Sequence, residues 1–180
     1  HERVLLPRVS MIPQIRLLWY TKERKGCDFL SRVVIVAEKP SVARDIARVL
    51  KVSGQRTGYL EREGVAVTWA LGHLITLCDP DEIDPRYKRW QQDTLPMLPD
   101  TIPLKILRGR AEQFGIIKKL ICAKETDRVI CATDAGREGE LIFRFIYMFA
   151  GCDKPVERLW ISSMTDAAIL AGFKALRPSS

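Results

Sequence analysis

Two acidic residues of the sequence, Glu38 and Asp134, each follow a short apolar run. The run before Glu38 is VVIVA at positions 33–37, and the run before Asp134 is VICAT at positions 129–133. Both runs are typical of buried parallel strands, and the working groups of open α/β sheets gather at the carboxyl ends of such strands. If the two strands are neighbours, the carboxylates meet at one edge and form a hard oxygen site suited to Mg²⁺ that also contacts a phosphate.

The predicted metal ligands are therefore Glu38 and Asp134, with Glu138 as a further candidate. A simpler interpretation is that Glu38 only caps the next helix, since an acid near a helix N-terminus stabilises it by about 0.3–1 kcal/mol. The second acid at an equivalent place favours the metal site, because it opens the segment DAGREGE, in which two glycines let the backbone approach a ligand.

Two cations beside these acids suit a phosphodiester. Lys39 is a compact positive charge next to Glu38, and Arg137 carries a guanidinium that can hold a phosphate by two hydrogen bonds. The alternative for Arg137 is a surface ion pair with Glu140 or Asp134. The sequence favours phosphate binding by both cations.

A further nucleic-acid signal is Trp90, which ends the segment RYKRW at positions 86–90. An aromatic ring beside three cations can stack on a base while the charges hold phosphates, so this segment is a candidate site for a single strand. A half-buried anchor for a proline-rich loop is the alternative. His73, which follows Gly72, is interpreted as a structural histidine in preference to a base.

The elements that would position these residues alternate between strands and helices. Pro40 and Ser41 open a helical pattern directly after the first strand, and Gly136 through Gly139 lead into another after the second. The remaining predicted elements are strands at 65–71 and 156–161 and helices at 112–126 and 165–176, with a proline-rich ordered excursion at 79–103. This alternation predicts an α/β fold with a mostly parallel sheet.

Composition and charge narrow the class of protein. The chain has 180 residues, 47% of them hydrophobic, so it can form a core without disulfides or a structural metal. Its five cysteines form no C-x-x-C pair, which argues against zinc and suits a reducing cytoplasm; Cys122 and Cys131 are predicted to be small buried thiols. No apolar run approaches the roughly 20 residues of a membrane span. The net charge of +7 is compatible with a nucleic-acid partner.

Four segments carry a more specific signal. They are VAEKPS at 36–41, TWALGHL at 68–74, ATDAGREGE at 132–140 and RLWISS at 158–163. In this order they closely resemble the amino-terminal region of bacterial type IA DNA topoisomerases of the topoisomerase III group, over about residues 31–175. The resemblance implies a Toprim domain at 31–157, with a mostly parallel sheet flanked by helices, and the start of the family's next domain at 158–180.

The resemblance also implies roles for individual residues. Mg²⁺ binds through Glu38 and Asp134, Lys39 contacts the scissile phosphate, and the excursion that carries Trp90 lies along single-stranded DNA. Glu38 carries the proton of the 3′-hydroxyl that leaves or attacks. The segment from Asp134 reads DAG where many Toprim proteins have Asp-x-Asp, so one metal ligand is missing and a symmetrical two-metal site is not expected.

The nucleophile of the resembled family is a tyrosine in a later domain. None of the tyrosines of this chain lies in a comparable context: Tyr20, Tyr59, Tyr87 and Tyr147. We therefore expect an amino-terminal fragment of an ATP-independent topoisomerase III, an enzyme that cuts, passes and reseals single-stranded DNA with Mg²⁺, and we expect no cleavage by the fragment alone. Its expected partners are single-stranded DNA and the remaining topoisomerase domains in cis, with no membrane contact, in a monomeric cytoplasmic protein.

Two other functions fit part of the pattern. One is another Toprim enzyme, a nuclease or a primase, in which the same acids direct water or a nucleotide; the RLWISS and TWALGHL segments argue against it. The other is a non-catalytic binder of single-stranded nucleic acid. Positions 1–30 are predicted to lie outside the domain, with residues 1–29 as either translated upstream sequence or a disordered basic arm.

Overall fold

The computed structural model describes residues 31–89 and 91–178. Its strands are β1 (Arg32–Ala37), β2 (Gly54–Arg56), β3 (Tyr59–Arg62), β4 (Val65–Trp69), β5 (Ile75–Leu77), β6 (Leu104–Ile106), β7 (Thr126–Ala132), β8 (Val156–Arg158) and β9 (Arg177–Pro178). Its helices are α1 (Pro40–Val49), α2 (Pro80–Ile83), α3 (Ala111–Ile121), α4 (Arg137–Ala150) and α5 (Asp166–Lys174), with 3₁₀ turns at Pro85–Lys88 and Gln92–Thr94. The predictions for positions 1–30 and for Trp90 lie outside the described residues.

The main sheet has seven strands in the order β2-β3-β4-β1-β7-β8-β9. β1 pairs in parallel with β4 and β7, and β7 pairs in parallel with β8. β2, β3 and β9 add antiparallel edges, and β5 with β6 forms a separate antiparallel pair. The parallel centre and its flanking helices confirm the predicted α/β class.

Both faces of the central strands are covered, which explains why their sequences are continuously apolar. Successive side chains of a strand point to opposite faces. Val33, Ile35 and Ala37 of β1 lie in the core that includes α1 and α5, and Val34 and Val36 lie in the core that includes α3 and α4. The carboxyl ends of the strands are therefore presented on a support that is packed from two sides. Within the described ranges, no helix has the length and apolar character to cross a membrane.

The structure adds strands that the sequence pattern does not predict. β2 consists of three exposed residues without alternation of apolar and polar side chains, and β5 and β6 are equally short. Such elements form because a partner strand satisfies their backbone groups. The predicted excursion at 79–103 contains α2 and the two 3₁₀ turns, each of them short.

The last described elements extend the same sheet and core. β9 pairs with β8, and Ile169 and Phe173 of α5 are buried in the core that includes α1. Thr165 caps the N-terminus of α5, because its Oγ1 accepts a hydrogen bond from Ala168 N at 3.3 Å. Residues 158–178 thus pack on the sheet, and the domain boundary expected near 157 stays a prediction.

The two cysteines predicted to be buried differ in exposure. Cys131 is fully buried in β7, and burial raises the pKa of its thiol. Cys122 is exposed, so its prediction was wrong. It directly follows the last turn of α3, and its Sγ donates to Ala150 O at 3.7 Å.

We predict that the centre of the sheet tolerates little loss of volume. Ile35 in β1 is fully buried, so Ile35→Val should lower the free energy of unfolding by about 0.5–1.5 kcal/mol. Met148→Ala is the control, because Met148 is exposed on α4 and its truncation should change stability by less than about 0.5 kcal/mol. Urea denaturation measures both values, and equal losses would contradict the assignment of β1 to the core.

Candidate functional site

Glu38 and Asp134 lie at the same edge of the sheet. β1 and β7 are adjacent and parallel, with Ala37 paired to Ala132, so the two strands end at the same level of the sheet. The backbone N–H of Asp134 donates a hydrogen bond to Glu38 Oε2 at 3.2 Å. The structure therefore brings together the two acids that the apolar runs single out.

Lys39 lies between the two acids. Its Nζ is 3.8 Å from Glu38 Oε1 and 3.7 Å from Asp134 Oδ2. Glu38 is 8% exposed, whereas the side chain of Asp134 is 60% exposed. One acid is thus held against the protein and the other faces solvent, with one positive charge near both.

The TWALGHL segment lies on the other side of Glu38. It begins in β4, which pairs with β1, and the N–H of Gly72 donates to Glu38 O at 3.5 Å. Gly72 has a φ of +71°, a conformation that glycine adopts at low cost. The chain then brings His73 Nε2 to 3.7 Å from Glu138 Oε1, so His73 contacts an acid of the DAGREGE segment.

Arg137 and Glu138 are exposed at the start of α4. The side chain of Glu138 is 80% exposed and does not join the Glu38 and Asp134 pair. Within residues 31–89 and 91–178, Arg137 makes no ion pair; Glu140, one of its two alternative partners, pairs with Arg144 at 2.7 Å and lies 3.5 Å from Arg158. The guanidinium of Arg137 is therefore available to a ligand.

Arg158 is a residue of this site that the sequence pattern does not assign. Its side chain is buried beside the end of β7, where Nη1 donates to Thr133 Oγ1 at 2.9 Å and Nη2 donates to Asp134 O at 2.6 Å. Cys131 O accepts a further bond from Nη1 at 3.3 Å. The guanidinium thus holds the backbone that carries Asp134. The available signal was an arginine inside a predicted strand, because a charge that becomes buried there needs several partners.

Gly139 lets the first turn of α4 lie against Asp134. A Cβ at this position would collide with Asp134 O and lie 2.9 Å from Asp134 N. Thr133 Oγ1 donates to Gly139 O at 2.7 Å, which ties the helix to the end of β7. Gly136 differs, because nothing lies within 4 Å of the corresponding Cβ position. Of the two glycines in this segment, close packing therefore requires Gly139, and the group that approaches it is the protein's own backbone.

The oxygen donors fit a magnesium ion held by two carboxylates. Mg²⁺ in proteins is commonly bound through one or two carboxylates, while water and substrate phosphate complete its shell. Oxygens of Glu38 and Asp134 already face one positive centre, the ammonium of Lys39. Across the described residues, no group of three or more His, Cys, Asp and Glu side chains is arranged to hold a metal. The described protein thus offers two converging ligands.

The sequence that forms this arrangement matches a known family. The family model described as the Toprim domain matches residues 33–164. This chain belongs to the Toprim domain family. The match covers all four segments that meet at or near the edge of the sheet, including RLWISS at 158–163.

The Toprim chain is also similar to proteins named DNA topoisomerase 3. It is 51% identical to the Bacillus cereus (strain ATCC 10987) protein over 149 residues, 83% of this chain, and 47% identical to the Bacillus subtilis (strain 168) protein over 148 residues, 82% of this chain. The Shouchella clausii protein is 49% identical over 148 residues. This similarity confirms the resemblance to the topoisomerase III group. The chain spans about a fifth of the length of these relatives, 20% in each case.

We predict that the two glycines of DAGREGE differ in their tolerance of a methyl group. Gly139→Ala should lower the free energy of unfolding by about 1–3 kcal/mol, because the new Cβ must push the Asp134 backbone away. Gly136→Ala is the matched control: its φ is −168°, an extended conformation open to any residue, and its surroundings are empty. Thermal and urea denaturation compare the two variants, and equal stability would show that α4 can move away freely.

Proposed function

We propose that this Toprim chain is the metal-binding part of a type IA DNA topoisomerase of the topoisomerase III group, which cuts, passes and reseals single-stranded DNA with Mg²⁺ and without ATP. The observation that carries the proposal is the meeting of Glu38, Lys39 and Asp134 at one edge of the sheet. Two acids and a cation at one point suit a divalent ion and a phosphodiester together. The identity to relatives named DNA topoisomerase 3 supports the same function.

In the proposed enzyme, Glu38 and Asp134 hold Mg²⁺. The Asp134 N–H orients Glu38, and Arg158 orients the Asp134 backbone through its carbonyl, which are the kinds of outer contact that keep metal ligands in place. Glu138 is a proposed third ligand, which must exchange its contact with His73 for the metal. When bound, Mg²⁺ offsets phosphate charge and positions the 3′-hydroxyl for resealing.

The proposed contacts to DNA come from the cations and from Trp90. The side chain of Lys39 is 57% exposed, so it can turn from the two acids towards the scissile phosphate. Arg137 is exposed beside the same acids and can hold a phosphate by two parallel hydrogen bonds. Trp90 is proposed to stack on a base farther along the strand.

Glu38 is the proposed proton carrier and therefore a catalytic residue. In the cutting step a tyrosine that has lost its proton to solvent attacks the phosphorus, the bond to the 3′-oxygen breaks, and the leaving oxygen takes the proton from Glu38. In resealing, the 3′-hydroxyl gives its proton to Glu38 as it attacks the 5′-phosphotyrosine, and the tyrosine leaves. One phosphoester replaces another in each step, so no ATP is required.

The nucleophile is proposed to come from other domains of the same protein. Tyr147 is unsuited, because its hydroxyl donates to Lys154 O at 2.8 Å and burial raises its pKa. It also lies in the last turns of α4, whereas the acids lie at the first turn. The remaining domains are then partners in cis and single-stranded DNA is the substrate. We expect a monomeric, cytoplasmic enzyme.

A chimera tests the proposed function. Residues 33–178 of this chain would replace the matching region of the Bacillus subtilis relative, to which it is 47% identical. The chimera should relax negatively supercoiled plasmid with Mg²⁺ and without ATP. Glu38→Gln in the chimera should lower the rate about 100-fold or more, because proton transfer by a positioned side chain contributes that much. A matched control is Glu63→Gln, an exposed acid in the turn between β3 and β4. Relaxation that survives Glu38→Gln would overturn the proposal.

Cutting and binding assays on the 180-residue chain alone distinguish the two rival functions. We expect it to leave a single-stranded oligonucleotide intact in Mg²⁺, because it would lack the nucleophile. Metal-dependent cutting by the chain would favour a nuclease. Oligonucleotide binding that is unchanged by Mg²⁺ and by Glu38→Gln, together with an inactive chimera, would favour a binding protein without catalysis.

Metal binding gives a second test. Asp134→Asn and Glu38→Gln should each weaken Mn²⁺ binding by about tenfold or more, since even outer contacts of a metal site can cause losses of that size. Asp153→Asn is the control, because Asp153 is an exposed acid beyond the last turn of α4. Isothermal titration of each folded variant measures the affinity. Unchanged binding in both site variants would exclude this pair as the metal ligands.

A further inference from the structure

Trp160 is an exposed aromatic residue directly after β8. Two cationic side chains lie over its ring: the guanidinium carbon of Arg158 is 5.6 Å from the ring centre, and that of Arg177 is 5.5 Å from it. Trp160 is nevertheless 47% exposed, so much of the indole faces solvent. Positive charge and an exposed aromatic surface thus lie together at this point.

The charges beside this ring are unbalanced. Arg158 and Arg177 are directly opposite each other in the antiparallel pair of β8 and β9, and like charges in this position destabilise a sheet. Arg158 is compensated by its carbonyl acceptors and by Glu140 at 3.5 Å. Arg177 is exposed and makes no ion pair with any residue of 31–89 or 91–178. The surface therefore presents one guanidinium that can receive an anion.

The ring is also connected to the backbone of Asp134. β8 is parallel to β7, so Trp160 leaves the sheet at the edge from which Asp134 projects. The same guanidinium that lies over the Trp160 ring donates from Nη2 to Asp134 O at 2.6 Å. One side chain thus separates the indole from the backbone of the proposed metal ligand.

We propose that Trp160 and Arg177 form a nucleotide-binding platform, in which the indole stacks on a base of a single strand and the guanidinium contacts the adjoining phosphate. The inference rests on the proposed single-stranded substrate and adds a binding site next to the acids. Base stacking on an exposed aromatic ring does not depend on sequence, because every base has a π face. A cation beside the ring adds the electrostatic part of the affinity.

The test is oligonucleotide binding by the whole chain in EDTA, so that the metal site does not contribute. The probe is a fluorescein-labelled oligo(dT) of about 20 nucleotides, and the comparison probe is an abasic strand of the same length. Trp160→Leu should weaken oligo(dT) binding about fivefold or more, while Trp160→Phe should stay within about twofold of the unaltered chain. The loss should vanish on the abasic strand, which has no base to stack.

Two more variants complete the test. Met148→Leu alters an exposed apolar side chain of α4 and should leave binding unchanged. Arg177→Gln should reduce the slope of log affinity against log salt by about 0.7, the value for one phosphate contact to a single strand. Circular dichroism checks that each variant is folded.

The outcomes are distinct from those for the proposed function. Equal binding by Trp160→Leu and the unaltered chain, or an equal loss on both strands, would overturn the platform while the metal titration and the chimera still stand. Absence of oligonucleotide binding by the unaltered chain at low salt would also overturn it. If the platform is confirmed and the chimera is inactive, the chain is a single-strand-binding protein and not part of a topoisomerase.

Discussion

The register between β1 and β7 is the constraint on which the site depends. Ala37 pairs with Ala132 at the carboxyl ends of the two strands, and this pairing decides that Glu38 and Asp134 leave the sheet together. An irregularity between Arg32 and Val33 lies at the other end, where Val33 already pairs with Arg128. The register near the acids is thus set by the buried run from Val33 onwards. A register shift of one residue would move every side chain of that run to the opposite face of the sheet and separate the two carboxylates.

Around this pairing, a small polar network fixes the Asp134 backbone. Arg158 donates to the carbonyl of Asp134, Thr133 links β7 to α4, and Gly139 removes the side chain that would keep the helix away. A buried guanidinium is costly unless its hydrogen bonds are made, so this arrangement holds only when several partners are in place together. The site is therefore positioned by long-range contacts among strand ends and a helix start.

These long-range contacts explain what the sequence could and could not predict. The apolar runs before Glu38 and Asp134 identify the central strands, because both faces of those strands are buried and successive positions of each run are therefore apolar. Short edge strands such as β2 have no such apolar run, since their residues are exposed and their pairing depends on a partner strand. The role of Arg158 depends on β8 lying next to β7, which a local pattern does not contain. The exposure of Cys122 follows from its place directly after α3, because burial at a helix end changes from one residue to the next.

The position of Lys39 affects the two acids even when no ion is bound to them. Two neighbouring carboxylates repel each other, and the ammonium group 3.7–3.8 Å from both acts as an internal counter-ion that relieves the repulsion. The acids can therefore keep their arrangement without any bound ion. In the proposed enzyme, an arriving divalent cation would displace this ammonium, which favours weak and rapidly exchanging occupancy over permanent retention. In that enzyme the displaced ammonium would be free when the phosphate of the proposed single-stranded substrate needs a positive neighbour, so that ion binding and strand binding would be coupled.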